Sequence, residues 1–199
     1  MYNRDIKQRS VDYMRKDLGP KTLTFPMPVH IIGTYDENGV PDAMNAAWGG
    51  ISNDNEISLC LARTHKTVAN LKKTGAFTVS VGTKEQLAAC DYVGMVSGSQ
   101  EPDKVAKAGF HAVKAANVNA PVFQELPMTL ECRVKSYDDE NERLVGEIVN
   151  ISVDEAVLTN GKVDSAKLHP IAFDSSSYMY MACWVPVGKA FAHKDPVVK

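Results

Sequence analysis

Val29-His30-Ile31-Ile32-Gly33-Thr34-Tyr35, followed by Asp36-Glu37-Asn38-Gly39 and then Asp42-Ala43-Met44-Asn45-Ala46-Ala47-Trp48, is the stretch that decides the fold. The first run is rich in β-branched and aromatic residues, which suit a pleated, half-buried surface. Asn38-Gly39 is the dipeptide that best fits a tight hairpin turn, because both residues tolerate positive φ. A return strand from Asp42 through Trp48, reaching Gly49-Gly50, completes an antiparallel hairpin. Upstream, Pro26-Met27-Pro28 enforces extended backbone and excludes helix.

Glu56 to Ala62 alternates, with Ile57, Leu59 and Leu61 on one face and Ser58, Cys60 and Ala62 on the other. The second face carries only small groups, leaving room for a flat molecule or for a neighbouring strand or helix. His65 to Lys73 reads as a short helix, with Val68 and Leu71 three apart and Gly75 as its stop. Ala76 to Val81 is a strand, and Thr83 with Gln86 forms a capping box for a helix from Lys84 to Val96. Pro102 and Gly109 bracket a third short helix. Thr129 to Lys135 alternates as a half-exposed strand, Asp138 to Asn141 is a loop, and Leu144 to Val153 pairs back. Tyr178 to Val185 is a last apolar stretch, while residues 1–25 are polar and mixed, an arm on the domain surface. The fold class is therefore mainly β with short α insertions, an antiparallel barrel or sandwich in one domain spanning 1–199. Hairpins dominate the connections, which excludes a doubly wound parallel sheet.

With 22 basic and 24 acidic residues, the chain has a net charge of -2. That balance supplies no electrostatic footprint for nucleic acid or an anionic membrane. No apolar run reaches the roughly 20 residues that a bilayer span needs. Met1 to Lys7 lacks the apolar core of a secretory signal. The four cysteines, Cys60, Cys90, Cys132 and Cys183, form no Cys-x-x-Cys pair. The expectation is reduced thiols in a cytoplasmic protein, with Cys60 and Cys132 in the core and Cys90 exposed near a helix end. The five histidines, His30, His65, His111, His169 and His193, have no metal-ligand spacing.

No dinucleotide fingerprint, Walker loop or nucleophile elbow is present. The informative segment is Leu61-Ala62-Arg63-Thr64-His65-Lys66-Thr67, where a strand ends and a helix begins. A helix start presents unpaired N–H groups and partial positive charge, and both favour an anion. Arg63 and Lys66 add full charges, and Thr64 and Thr67 add hydroxyl donors, so a phosphate monoester suits the segment. The competing reading makes Thr64 an ordinary N-cap and the cations solvated. Cys90-Asp91-Tyr92-Val93-Gly94-Met95-Val96-Ser97-Gly98, followed by Asp103-Lys104, reads on composition first as a helix end and turn, while Gly94 and Gly98 also permit close approach and Ser97 and Lys104 could reach a ligand or a partner subunit. Trp48 and Trp184 read as buried aromatics, either core or a stacking surface.

Several of these pieces, in this order, resemble the flavin reductase-like group, and most of all its flavoredoxin branch. They are Pro26 to Pro28, Asn45 to Trp48, Arg63 to Thr67, Gly94 to Gly98 with Asp103-Lys104, Pro121 with Glu125-Leu126-Pro127, and Val145-Gly146-Glu147. The likeness spans about residues 23–193. It implies an FMN-binding split β-barrel acting as a homodimer, with flavin near the subunit interface. It also implies that Asn45, Ala46, Ala47 and Trp48 line the isoalloxazine ring. Leu61, Ala62, Arg63 and Thr64 would follow the ribityl chain, with His65, Lys66 and Thr67 around the phosphate. Ser97 and Lys104 carry over as contacts from the same or the other subunit. Many relatives have a Pro-Pro pair before the third strand, where this chain has Asn53-Asp54-Asn55.

The expected activity is that of an FMN-dependent oxidoreductase taking hydride from a transiently bound NADH or NADPH. Its unidentified acceptor would be free flavin, ferric iron or a redox protein. The alternatives are a flavin-binding electron carrier with no nicotinamide reaction, and a cofactor-free dimeric barrel serving as an interaction module.

Overall fold

A computed structural model describes residues 15–182 and 184–191, so Cys183 and His193 lie outside the described residues, as do residues 1–14 of the expected arm. The strands are β1 (Met27–Pro28), β2 (His30–Tyr35), β3 (Pro41–Ala46), β4 (Gly49–Asn53), β5 (Glu56–Cys60), β6 (Ala76–Val81), β7 (Ala112–Lys114) and β8 (Pro121–Phe123). Then come β9 (Met128–Asp138), β10 (Arg143–Val153), β11 (Leu158–Thr159), β12 (Lys162–Val163), β13 (Ala172–Asp174) and β14 (Met179–Met181). The helices are α1 (Lys66–Thr74), α2 (Leu87–Met95), α3 (Lys104–Lys107) and α4 (Ser165–Leu168). Seven strands form one antiparallel sheet in the order β3-β2-β6-β9-β10-β5-β4. A smaller sheet, β1-β13-β14, lies beside it.

One connection dictates the shape of the large sheet. β3 and β4 are its two edges, yet only Ala47-Trp48 joins them. In a flat sheet, six strand spacings of about 4.8 Å would separate those edges by about 29 Å. Three Cα steps span at most about 11 Å. The sheet must curl until its edges nearly meet, which gives a half-closed barrel whose seam carries Ala47 and Trp48. The return strand expected over 42–48 therefore stops at Ala46, and Gly49-Gly50 already belong to the opposite edge.

Inside the curl pack Ile32, Met44, Ala46, Ile57, Leu59, Leu61, Phe77, Val79, Leu130, Cys132 and Leu144, with Val68 and Leu71 of α1 against them. The expected alternation of β5 is seen, since Ile57, Leu59 and Leu61 are each buried. Phe77 fills space that only a glycine leaves at Gly146, where β10 slips register against β9. A second core forms on the outer face of β2 and β3, where Ala89, Cys90 and Val93 of α2 meet Val29, Ile31 and Ala43.

Some local expectations need correcting. α2 starts at Leu87, and neither Thr83 nor Gln86 caps it through a side chain. Thr83 is drawn instead into a bridge with Pro170. The first half of β9 is buried on both faces, because Asn117 and Asn150 satisfy the Glu131 carboxylate. Cys60 is exposed while Cys90 is fully buried, the reverse of the expectation, because the outer face of β3 takes α2 as its cover and the Cys60 face stays open. Trp48 and Trp184 are both partly exposed rather than core. Trp184 donates to the Pro170 carbonyl at 2.6 Å, away from the seam.

Candidate functional site

A cleft opens along the seam. Its wider part, about 380 Å³, is lined by Asn45, Ala46, Ala47 and Trp48 from the β3–β4 crossing, by Cys60, Leu61 and Ala62 from the end of β5, and by Asp91, Met95, Phe173 and Tyr180. That volume lies within the range of small-molecule sites. A narrower part of about 200 Å³ shares Met44, Asn45, His65, Gly94 and Met95 with it and adds Asp42, Lys66, Thr67, Ser97, Gly98 and Lys104. The cleft thus has a wider, more apolar end and a polar end.

The polar end is built on the start of α1. His65 is the N-cap residue but makes no side-chain cap bond, which corrects the reading of Thr64 as N-cap. The His65 N–H is taken by the Ala62 carbonyl at 3.0 Å, whereas the N–H groups of Thr64, Lys66 and Thr67 find no acceptor among the described residues. Unpaired donors and the helix dipole point the same way, toward an anion. The Lys66 ammonium lies 3.6 Å from the Asp36 carboxylate and 3.5 Å from the Gly98 carbonyl. Burial pushes the Asp36 carboxyl up, but the N–H bonds from Val40 and Asn38 and the charge of Lys66 outweigh it and leave it lowered.

Behind this end lies a buried ion pair. Lys104 Nζ sits 3.2 Å from Asp42 Oδ1 and donates to the carbonyls of Val96 at 3.0 Å and Val93 at 3.3 Å. Two of its three N–H donors are thus used by carbonyls, while Asp42 Oδ1 faces the ammonium as a charge partner without a hydrogen bond of its own. Asp42 Oδ2 accepts the Thr67 hydroxyl at 2.6 Å, and a side chain at Gly98 would collide with Asp42. Lys104 therefore lines the narrow end while tying the end of α2 to β3.

Residues 61–63 are clamped by the β9–β10 hairpin. Tyr137 Oη donates to the Leu61 carbonyl at 2.6 Å, and the Leu61 N–H donates to the Glu142 carbonyl at 2.9 Å. The Arg63 N–H donates to Glu142 Oε1 at 3.0 Å, and its guanidinium donates to the Asp139 carbonyl at 3.3 Å. Arg63 and Thr64 side chains consequently line neither part of the cleft. Of the thirteen residues expected at the site, the other eleven line it: Asn45, Ala46, Ala47, Trp48, Leu61, Ala62, His65, Lys66, Thr67, Ser97 and Lys104.

Tyr180 and Phe173 are wall residues that sequence reasoning did not single out, and Asp91 lay in the Cys90–Gly98 cluster without a role of its own. Tyr180 Oη donates to Asp91 Oδ1 at 2.8 Å and accepts from Asn45 Nδ2 at 3.3 Å. Burial, then the bond to Asp91 and its charge, push this phenol up to about 12. The alternating Tyr178 and Tyr180 of the last apolar stretch were the only signal in the sequence, and no motif marks them.

The model of the flavin reductase like domain matches residues 22–181. The chain belongs to that family. It is similar to the flavoredoxin of Desulfovibrio vulgaris (Miyazaki F), with 35% identity over 90% of this chain and 98% of that one, at a TM-score of 0.86. A flavoredoxin from Methanosarcina acetivorans shares the fold at 23% identity, covering 90% and 97% of the two chains, with a TM-score of 0.81. So does nitrilotriacetate monooxygenase component B from Bacillus cereus, at 17% identity, 88% and 100% coverage and a TM-score of 0.75. None of the functionally curated proteins matches the chain. The family's split barrel is the curled antiparallel sheet described above, so the fold expected from the resemblance stands.

Proposed function

We propose that this flavin reductase-like chain is an FMN-dependent oxidoreductase that takes hydride from transiently bound NADH or NADPH and passes electrons to an acceptor. One observation carries the reading: a single cleft joins a wide, largely apolar end to the unpaired N–H groups and the Lys66 ammonium at the start of α1. FMN has the same polarity, a planar ring at one end and a phosphate at the other. When bound it supplies the redox chemistry, and the protein supplies binding and orientation. Asn45, Ala46, Ala47 and Trp48 would line the ring, with Leu61 and Ala62 beside its tail. His65, Lys66, Thr67 and the Thr64 N–H would hold the phosphate, Ser97 would close over it, and Lys104 would fix the wall behind. No side-chain acid or base is needed, because hydride transfer mainly requires two rings held in contact. Trp48 and Phe173 also line a neighbouring groove of about 980 Å³, broad enough for a transient donor.

A homodimer is part of the same proposal. Its support is the exposed Ile51 on edge strand β4 and the exposed Met179 and Met181 on edge strand β14. Apolar edges of this kind are surfaces that a second copy can cover. Light scattering at twice the chain mass is the expected result.

The deciding experiment mixes purified holoprotein with NADH or NADPH without oxygen. Prompt bleaching of the flavin supports the reductase. Flavin that stays oxidised with both nucleotides, yet bleaches with dithionite, supports the electron-carrier reading, which the 35% likeness to a flavoredoxin favours. Colourless protein with no thermal shift on adding FMN would overturn both.

A further inference from the structure

We infer that Asp91 sets which electron acceptors the open end of the cleft admits, as a fixed negative charge favouring cationic and neutral partners over anionic ones. Among the described residues lining the wide end, only Asp91 carries a carboxylate, and it faces solvent. The cations belong to the other end, where Lys66 is paired with Asp36 and Lys104 with Asp42.

One hydrogen bond orients the charge, and the wall that supplies it is braced in turn. Tyr180 Oη donates to Asp91 Oδ1 at 2.8 Å and stays protonated at neutral pH, so it remains a donor. Asn45 Nδ2 donates both to Tyr180 Oη and, at 3.2 Å, to the carbonyl of Cys90, the residue before Asp91. Three residues on, Gly94 lies so near β3 that a Cβ there would come within 2.8 Å of the Asn45 Cβ. A carboxylate oriented by Tyr180 at the mouth of the cleft acts on an incoming ion at short range, and at low salt a charge within a few ångströms changes encounter rates strongly.

The redox arm of the test rests on the flavin reading; the second arm does not. Dithionite-reduced holoprotein is mixed with ferricyanide or with hexaammineruthenium(III) at low ionic strength. Asp91→Asn keeps an acceptor for Tyr180 but removes the charge. It should raise the ferricyanide rate and lower the ruthenium rate, moving their ratio about tenfold, an effect that fades near 1 M salt, where the screening length is about 3 Å. Glu155→Gln, which removes an exposed carboxylate lining neither part of the cleft, should leave the ratio alone. In flavin-free Trp184→Phe protein, Trp48 fluorescence is quenched by iodide or caesium. Adding Asp91→Asn should raise the iodide constant and lower the caesium constant, shifting their ratio at least twofold. Unchanged ratios in this second arm, or equal shifts with Glu155→Gln, overturn the inference. Protein that retains no flavin sinks the cofactor reading alone, because the quenching arm still decides the role of Asp91.

Discussion

Lys66 already has one anion beside it. Its ammonium is held near the Asp36 carboxylate and the Gly98 carbonyl, beside N–H donors that have no protein acceptor. Lys66→Glu removes an attraction to phosphate, adds a repulsion and sets a second carboxylate beside Asp36. A loss of about 3 kcal/mol, or roughly a hundredfold in Kd for FMN, is expected at a partly buried site, with the fold retained. Fluorescence titration checks it, and an unchanged Kd would remove the phosphate from this corner. Asp42 and Lys104 are both almost fully buried, so cutting one partner strands the other. Lys104→Met should cost about 3–5 kcal/mol in urea unfolding, and Asp42→Asn in the same chain should recover part of that loss. The cysteines separate just as sharply. Burial pushes the Cys90 thiol up to about 11, and burial with the Glu131 charge pushes Cys132 up to about 12, while Cys60 stands exposed in the cleft. Iodoacetamide near neutral pH should label Cys60, spare Cys90 and Cys132, and label Cys60 more slowly once FMN is added; peptide mass spectrometry reads all three outcomes.

At the scale of elements, the cleft exists because a two-residue crossing joins opposite sheet edges and because α2 lies hard against one of them. The tight contact is at Gly94, whose missing side chain lets the helix approach Asn45. Gly94→Ala forces α2 away from β3 and loosens the Asn45–Cys90 bond that aligns the wall. We expect about 1–3 kcal/mol of lost stability and about tenfold weaker FMN binding, checked by urea unfolding and titration in parallel. Local sequence carried much of this level. Alternation at Ile57, Leu59 and Leu61 and the Gly75 stop of α1, which sits at φ 69, are nearest-neighbour effects and were legible. The capping box at Thr83 and Gln86 was a local preference that lost to pairing with Pro170, and Glu131 was buried by amides from Asn117 and Asn150. Neither partner is visible from the local pattern.

Over the whole molecule, the same division explains which cleft residues could be read in advance. Asn45 to Trp48 and Leu61 to Thr67 are continuous segments with recognisable chemistry. Asp91 belongs to the glycine-containing Cys90–Gly98 cluster, but it meets Phe173 and Tyr180 only because the small sheet packs on α2, and nothing along the chain marks that meeting. His30 is another product of closure. It pairs across β2 and β3 with Ala46, and its Nδ1 is buried with no hydrogen-bond partner. Burial lowers this imidazole from 6.5 to about 4. As pH falls below 6.5 the unfolded chain takes up a proton that the folded protein refuses until about 4. Unfolding is therefore increasingly favoured on acidification through that window, by about 1.4 kcal/mol per pH unit and about 3 kcal/mol in all. Below it the slope from this group vanishes, because both states are protonated. Asp174, which the Ser177 and Ser176 hydroxyls hold down at about 2, acts in the lower window between there and 3.8. Urea unfolding at half-unit intervals should show wild-type stability rising with pH between 4 and 6.5, and His30→Gln should flatten that segment alone. A variant whose slope matches the wild type there would mean that the folded protein protonates His30 as readily as water does.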